Sequence, residues 1–210
     1  MKKLLRGFLW AAGAAALLGC AYSTPPRGDW PRILVGASNS GMTPELRLAK
    51  TPLYQEAGGR VLTVKQAPDY MNRMETTLEN TLRKPGIQIN RIGTDIVVIL
   101  VRSSFIYTDS PEISRMGDDL LKKLARVLNE YGMTWVEITG YTDAMANQSN
   151  AAALSRDMAT RAALYLPKHD VMPITLFIDG RGSSNPIADQ SDIGRLMNLR
   201  IEIRLSAIVK

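Results

Sequence analysis

The chain has 210 residues, of which 45% are hydrophobic and 22% are charged, and its net charge is +6. This composition is typical of a globular protein with a substantial core and excludes a largely disordered chain. A single cysteine excludes an intramolecular disulfide, and together with a single histidine it argues against a zinc or iron–sulfur centre. We therefore predict no metal and no cofactor.

The first twenty residues have the organisation of a bacterial secretion signal. Basic residues precede an apolar run of about a dozen residues, which is too short to span a bilayer about 30 Å thick. The run ends in Leu17-Leu18-Gly19-Cys20, which resembles the lipobox of bacterial lipoproteins. The resemblance implies cleavage of residues 1–19 and lipidation of Cys20 by acyl chains such as palmitate. Because Ala21 rather than aspartate follows the cysteine, it also implies the outer membrane. The alternative is an ordinary secretory signal that happens to contain a cysteine.

The positive charge gives no case for nucleic-acid binding. Lys2, Lys3 and Arg6 leave with the signal, and the mature chain then has a net charge near +3. The remaining basic residues are scattered and form no stripe with aromatic residues. We therefore expect no nucleic-acid partner.

Residues 20–67 are predicted to be the lipidated cysteine and a flexible tether. This segment is rich in proline, with Ser, Thr, Gly and Asn between the prolines, and shows no sustained helical or strand period. The prolines that carry this prediction are Pro25, Pro26, Pro31, Pro44 and Pro52. The folded domain is then predicted to occupy residues 68–210.

The folded domain is predicted to begin with a helix and a hairpin. Residues 68–84 have apolar side chains at helical spacing, and Pro85-Gly86 ends the helix. Residues 87–90 alternate, a turn follows at 91–94, and the apolar run at 95–101 indicates a strand buried on both faces. The apolar positions of the helix are Tyr70, Met71, Met74, Leu78 and Leu82.

Two longer helices and three further strands complete the domain. The first helix is predicted to start at Ser110-Pro111-Glu112 and to end at Gly132, and the second covers residues 149–166. Strands are predicted at 134–139, 174–178 and 199–205. The fold class is α+β, a two-layer βαβαββ sandwich with helices on one face of a mixed sheet. The predicted inward positions are Met116, Leu120, Leu121, Leu124, Val127, Leu128 and Tyr131 in the first helix, and Ala151, Leu154, Met158, Ala162 and Tyr165 in the second.

A series of short motifs follows in the second half of the chain. They are Gly140-Tyr141-Thr142-Asp143, Leu154-Ser155, Gly180-x-Gly182, Pro186-Ile187-Ala188-Asp189 and Gly194-Arg195-x-x-Asn198-x-Arg200-Ile201-Glu202-Ile203. In order and spacing this series resembles an OmpA-like carboxy-terminal domain, and the resemblance covers roughly residues 87–206. It implies non-covalent peptidoglycan binding. In the family, one aspartate faces the ammonium group of diaminopimelate and one arginine faces its carboxylate.

The chain keeps the family aspartate as Asp143 but departs from the family at the positions around it. The family arginine is replaced by Met158, which cannot bind a carboxylate and is predicted to fill the core. The family asparagine is Ala151, the acidic residue of the first loop is Tyr107, and one arginine of the Asn-Arg-Arg signature is Leu199. An alternative role for Asp143 is to cap its own loop or the next helix.

The predicted ligand site is of the diaminopimelate type and includes Thr142, Asp143, Arg156, Arg161 and Arg200. Arg156 and Arg161 are included because they flank Met158 on the same helix and are the cations nearest to the missing arginine. Each points at least about 60° away from Met158 around the helix axis. Whether either cation replaces the missing arginine is left open.

Two functions remain open, and catalysis is not one of them. The first is a structural subunit of an envelope assembly, such as the outer-membrane core complex of a type IVB secretion or conjugation system, where an IcmN/DotK-type lipoprotein has this layout. The second is a peptidoglycan-binding tether between outer membrane and cell wall. The chain has no Gly-x-Ser-x-Gly motif and no phosphate-binding loop, and its one histidine, His169, lies in a predicted loop. We therefore predict that the protein is not an enzyme.

Overall fold

A mixed sheet of five strands lies at the centre of the described structure. The computed structural model describes residues 37–106, 112–144 and 148–210, together with Leu34. Neighbouring strands are antiparallel except β3 and β4, which are parallel, and the order across the sheet is β1-β2-β5-β3-β4. The strands are β1 (Ile87–Ile92), β2 (Asp95–Val101), β3 (Thr134–Tyr141), β4 (Leu176–Gly180) and β5 (Arg200–Ala207).

The helices connect these strands and confirm the predicted α+β class. They are α1 (Pro44–Glu56), α2 (Ala67–Leu82), α3 (Arg102–Phe105), α4 (Arg115–Glu130), α5 (Gln148–Tyr165) and α6 (Asp192–Asn198). Neither α1 nor α6 is predicted from the sequence, and α6 is too short for a helical period to be recognised. Within the described ranges, no helix combines the length and the apolar character needed to cross a membrane.

The predicted leading helix and hairpin are confirmed. The five predicted apolar residues of α2 are all buried. Strands β1 and β2 pair along their whole length, and Gly93, with a φ of 61°, forms the turn between them. The five interior residues of β2 are buried, as expected for a strand covered on both faces.

The main core lies between one face of the sheet and helices α2, α4 and α5. Alternate strand residues point to this face, and Val98, Ile138 and Ile203 among them are fully buried. Leu124 of α4 is fully buried in the same cluster. Since the helices cover this face with apolar side chains, the predicted two-layer arrangement accounts for most of the core.

The start of α4 differs from the prediction. The helix begins at Arg115, and the Ser114 side chain caps it by accepting a hydrogen bond from the Gly117 backbone amide. The predicted cap at Ser110-Pro111 lies outside the described residues. Two favourable N-terminal sequences therefore stand close together, and the helix uses the second one.

Of the residues that were predicted to point inward, two are instead exposed, and Tyr165 is half-buried. Met116 is 42% exposed and Leu154 is 43% exposed. Met116 is the second residue of α4, in its exposed first turn. In α5 the residues Ala151, Ser155 and Ala159 are all buried, and Leu154 lies one residue out of phase with them.

Helix α1 corrects the predicted tether, because residues 44–56 are folded and cover part of the other face of the sheet. Thr43 caps the helix, and Pro44 occupies its first position, where a missing amide hydrogen costs nothing. The Tyr54 ring lies 5.7 Å from the ring of Trp135 in β3, and these rings share a second buried cluster with Phe177. Helix α1 is therefore held by tertiary packing against the sheet, which local sequence does not reveal.

The chain before α1 is also attached to the sheet. Ser38 pairs with Phe177 at the outer edge of β4, where its amide donates to Leu176 O at 2.8 Å and its carbonyl accepts from Ile178 N at 2.9 Å. The Met42 amide donates to Glu137 Oε1 at 2.7 Å. We call residues 38–56 the N-terminal clasp. The predicted boundary at residue 68 is therefore wrong for this segment, and residues 20–33 of the predicted tether lie outside the described residues.

Candidate functional site

The predicted site lies where β3 ends, beside the first turns of α5. The Thr142 amide donates to Gly182 O at 2.8 Å, and the Gly182 amide donates to Ser155 Oγ at 2.9 Å. A Cβ atom at Gly140 would collide with the Ser155 carbonyl group, so α5 approaches β3 this closely only because residue 140 is glycine. These contacts place Thr142 and Asp143 on a rigid frame.

Thr142 and Asp143 carry polar atoms that the described residues leave unpaired. Thr142 is 2% exposed, and its Oγ1 atom is buried without a hydrogen-bond partner. The half-buried Asp143 carboxylate has no hydrogen bond or ion pair with any residue that the structure describes. A buried polar group without a partner is costly, which makes the Thr142 hydroxyl an indication of a ligand site.

Met158 points into the main core. It is 2% exposed and belongs to the cluster that contains Ile138 and Leu124. A thioether in this position contributes packing and no charge. The position at which the family resemblance implies an arginine is therefore apolar in this structure.

Arg156 extends towards the edge of β4 and the N-terminal clasp. Its guanidinium donates to the Asn39 carbonyl at 2.7 Å and pairs with Asp179 Oδ1 at 3.2 Å. Asp179 also pairs with Arg181 through its other oxygen at 3.1 Å. The structure thus brings Arg156 together with the clasp and with Asp179, which the sequence did not predict.

Arg161 pairs with an acidic residue one turn earlier in α5. Its Nε atom donates to Asp157 Oδ2 at 2.7 Å, and the Arg161 side chain is only 9% exposed. The guanidinium of Arg161 is therefore committed to this (i, i+4) pair and to a further interaction.

Arg200 is buried on the face of β5 that points away from the main core, and its guanidinium contacts several protein groups. It is 1% exposed, lies 4.0 Å from the centre of the Tyr141 ring and pairs with Glu202 Oε1 at 2.7 Å. Two of its nitrogens also donate to the carbonyl groups of Asn185 and Asn198 at 2.9 Å and 3.2 Å. With every donor group directed at a protein partner, Arg200 holds the loop after β4 in place.

The other departures from the family pattern have visible consequences. Ala151 is buried, and a Cβ added at Gly182 would lie 3.4 Å from the Ala151 Cβ, so this position packs against a loop. Leu199 is half-buried, and Tyr107 lies outside the described residues. Of the predicted site residues, Thr142 and Asp143 adjoin at the end of β3, and Arg200 pairs with Tyr141 next to them. Arg156 and Arg161 bind other partners, and a role of any of these residues in ligand binding stays a prediction.

Two buried charged residues lie on the face of the sheet that α1 covers, and neither was predicted from the sequence. Glu137 is 9% exposed and holds the clasp through Met42, whereas Lys50 is 7% exposed and lies over the Phe177 ring. Burial lowers the pKa of Lys50 from 10.5 to about 8. A single acidic residue in the middle of the apolar strand Thr134–Tyr141 was the available signal for Glu137; Lys50 had none.

The comparisons with known proteins agree with the fold and with the motif series. Residues 107–196 match the model of the OmpA family. The chain contains an OmpA-like domain. The YiaD protein of Escherichia coli K12, named a probable lipoprotein, is 31% identical over 140 residues, which are 66% of this chain and 64% of YiaD. Outer membrane porin F of Pseudomonas fluorescens is 34% identical over 88 residues, which are 41% of this chain and 27% of the porin.

Solved structures show the same fold at lower sequence identity. A putative MotB-like protein from Desulfovibrio vulgaris superposes with a TM-score of 0.61 at 19% identity, covering 69% of this chain and 93% of that one. The cell wall anchor of the type VI secretion system from Pseudomonas aeruginosa gives a TM-score of 0.57 at 22% identity, covering 65% and 99%. At these identities the likeness establishes the fold alone.

Proposed function

We propose that this protein is a non-enzymatic lipoprotein, anchored through Cys20 to the periplasmic face of the outer membrane, and a structural subunit of an envelope assembly. An outer-membrane core complex of the type IVB secretion or conjugation class is the assembly that we favour. The lipobox-like sequence and the similarity to a protein named as a lipoprotein support the anchor. The OmpA-like domain supports a structural rather than a catalytic role.

The observation that carries this proposal is the replacement of the family arginine by the buried Met158. Diaminopimelate presents an ammonium group and a carboxylate together, so a site for it needs both an anion and a cation. Asp143 supplies the anion, but Arg156, Arg161 and Arg200 are all engaged with protein partners. Loss of one charge-assisted contact weakens binding by about tenfold to a hundredfold.

The second candidate is a peptidoglycan tether, and one specific observation favours it. Among the residues that the structure describes, none pairs with the Asp143 carboxylate, and the Thr142 hydroxyl has no hydrogen-bond partner, which favours an ammonium-binding site here. Under this alternative, the domain would bind the cell wall through Asp143 with reduced affinity.

Sedimentation distinguishes the two candidates. The full-length protein, extracted from its own membranes in mild detergent, is incubated with isolated peptidoglycan and is also run on a density gradient. We expect migration in a large complex and little sedimentation with peptidoglycan. Strong sedimentation that Asp143→Ala abolishes, with the protein monomeric on the gradient, would instead establish the tether. Asp192→Ala is the matched control, because Asp192 is an exposed acidic residue paired only within its own helix.

A further inference from the structure

Strand β1 has an outer edge with which no described segment of the chain pairs. The order across the sheet is β1-β2-β5-β3-β4, so β1 and β4 are its two edge strands. The N-terminal clasp occupies part of the β4 edge, where Ser38 donates to the Leu176 carbonyl and accepts from the Ile178 amide. No corresponding bridge or backbone hydrogen bond covers the outer edge of β1 in the described ranges. The two edges of the sheet therefore differ, and the β1 edge is open to a further strand.

The register of the β1–β2 hairpin identifies the backbone groups that point to this open edge. In an antiparallel pair, opposite residues that exchange hydrogen bonds alternate with opposite residues that do not. The Val101 amide donates to the carbonyl of the opposite residue, Gly86, at 3.4 Å, so the even-numbered residues of β1 bond to β2. The odd-numbered residues, Ile87, Ile89 and Arg91, therefore direct their amide and carbonyl groups outward. Of these six groups, the Ile87 amide is already used in the preceding turn.

The β1 edge also lacks the features that usually prevent a strand from pairing with another chain. Natural edge strands are protected by proline, by lysine or inward-pointing charges, or by a bulge. Strand β1 reads Ile-Gln-Ile-Asn-Arg-Ile and pairs with β2 over all six residues without a bulge. Its one charged side chain, Arg91, is held by Glu75 at 2.8 Å and by the Gly93 carbonyl at 3.2 Å. The guanidinium is therefore directed at groups within the same chain, and the edge is left unguarded.

We propose that β1 pairs antiparallel with β1 of a second copy of this chain and joins the two five-stranded sheets into one. A two-fold axis at Ile89 satisfies the free groups. The amide and carbonyl of Ile89 bond to those of Ile89 in the second copy, and the Arg91 amide donates to the Ile87 carbonyl. Such a symmetric contact is closed, so it produces a dimer and not a fibre. This surface is separate from the candidate ligand site, since β2 and β5 lie between β1 and β3, and the dimer is compatible with either candidate function.

The side chains match across this axis as well. On the face of the main core, the half-buried Ile89 lies opposite its copy, so the margins of the two cores meet. On the opposite face, the exposed Gln88 lies opposite Asn90 of the second copy, and these uncharged amides can hydrogen-bond to each other. Arg91 lies opposite Ile87, so no like charges face each other along the strand. The edge is therefore complementary to itself, which favours a second copy over an unrelated strand.

Disulfide crosslinking in the native membrane tests this register. Two full-length copies with different epitope tags, one with Gln88→Cys and the other with Asn90→Cys, are expressed together in cells that lack the unmodified chain. In the proposed register these positions are directly opposite, with Cα atoms about 4.5 Å apart, which a disulfide can bridge. Either variant expressed alone is the matched control, because its two cysteines lie diagonally, about 7–8 Å apart. Cys20 is present in every variant, so any crosslink through it appears in the controls as well.

We expect a disulfide-linked dimer that carries both tags and is at least tenfold more abundant in the mixture than with either variant alone. Ile89→Cys is the second measurement: it lies opposite its own copy at a Cα separation of about 5.5 Å and should crosslink when expressed alone.

Three results would overturn the proposal. The first is equal crosslinking in the mixture and in the two controls, which indicates random collision. The second is a disulfide that joins β1 to a different protein, which assigns the edge to another partner. The third is the absence of any dimer from both the mixture and Ile89→Cys, although the proteins resist protease as the wild type does. None of these results bears on the type of envelope assembly or on cell-wall binding, so the function proposed above is tested separately.

Discussion

The Nζ atom of Lys50 lies 4.5 Å from the centre of the Phe177 ring and donates a hydrogen bond to the Leu176 carbonyl at 3.3 Å. This contact fastens α1 to β4 on the second face of the sheet. It also buries a charge, since Lys50 is only 7% exposed. The cation–π contact and the hydrogen bond offset part of the desolvation cost.

The buried Lys50 is expected to make stability depend on alkaline pH. Its pKa is lowered from 10.5 to about 8 by burial. Below pH 8 both the folded and the unfolded chain carry this proton, and the folded state bears the full cost. Between pH 8 and about 10.5 the unfolded chain binds more of this proton than the folded chain, so the stability contributed by this site rises with pH. The rise should not exceed about 3 kcal/mol.

Urea denaturation at several pH values measures this effect. The chain expressed without residues 1–20 is compared with Lys50→Met, which keeps the length of the side chain and removes the charge. The difference in unfolding free energy between the two proteins should change by the expected amount between pH 8 and 10.5. Parallel pH profiles for the two proteins would contradict the prediction.

Tyr54→Ala should strongly destabilise the protein, because the N-terminal clasp is part of the fold. Tyr54 is 2% exposed, packs on Trp135 and donates a hydrogen bond to the Gly132 carbonyl at 3.0 Å. Loss of a buried aromatic side chain costs about 3–5 kcal/mol. Leu53→Ala is the matched control. Leu53 precedes Tyr54 and is 51% exposed, so its truncation should lower the free energy of unfolding by less than about 0.5 kcal/mol. Equal and small effects in urea denaturation would mean that the clasp does not pack on the sheet.

Leu124→Ala should destabilise the main core by about 2–5 kcal/mol. Leu124 is fully buried between α4 and the sheet, so its truncation leaves a cavity. Met116→Ala, on the same helix but 42% exposed, serves as the control and should change the unfolding free energy by less than about 0.5 kcal/mol. A larger effect of Met116→Ala than of Leu124→Ala in thermal or urea unfolding would show that the helix is rotated.

Cys20→Ser should release the protein from the membrane fraction, since it removes the residue that the lipobox-like sequence offers for acylation. Incorporation of labelled palmitate into the wild type but not the variant checks the anchor directly. Ala21→Asp is the informative second variant, because it should keep the label and shift the protein to the inner membrane. Membrane association of Cys20→Ser without any labelling of the wild type would leave no role for a lipid anchor.

The location of the clasp limits how far an anchored domain lies from the membrane. Ser38 is already paired with β4, so at most seventeen residues separate it from Cys20. At roughly 3.3–3.6 Å per residue these span about 60 Å when fully extended. The predicted tether of residues 20–67 would have spanned more than twice that distance.

The sequence by itself determined the features that depend on local patterns. The helical period predicted α2 with its five buried residues, and the apolar run predicted β2. The motif series from Gly140 to Ile203 predicted the OmpA-like domain, because motif order and spacing survive where single residues change. The substitution of Met158 for the family arginine was likewise visible, since it requires only a residue and its register.

Only the tertiary structure decided how distant residues are paired. Helix α1 is proline-containing and weak by local criteria, and it is folded because Tyr54 meets Trp135 from far along the chain. The sequence left the direction of Arg156 open, and Asn39 and Asp179 hold its guanidinium at the edge of β4. A long cation takes its direction from whichever acceptors the fold brings near, and no spacing along the chain encodes those acceptors.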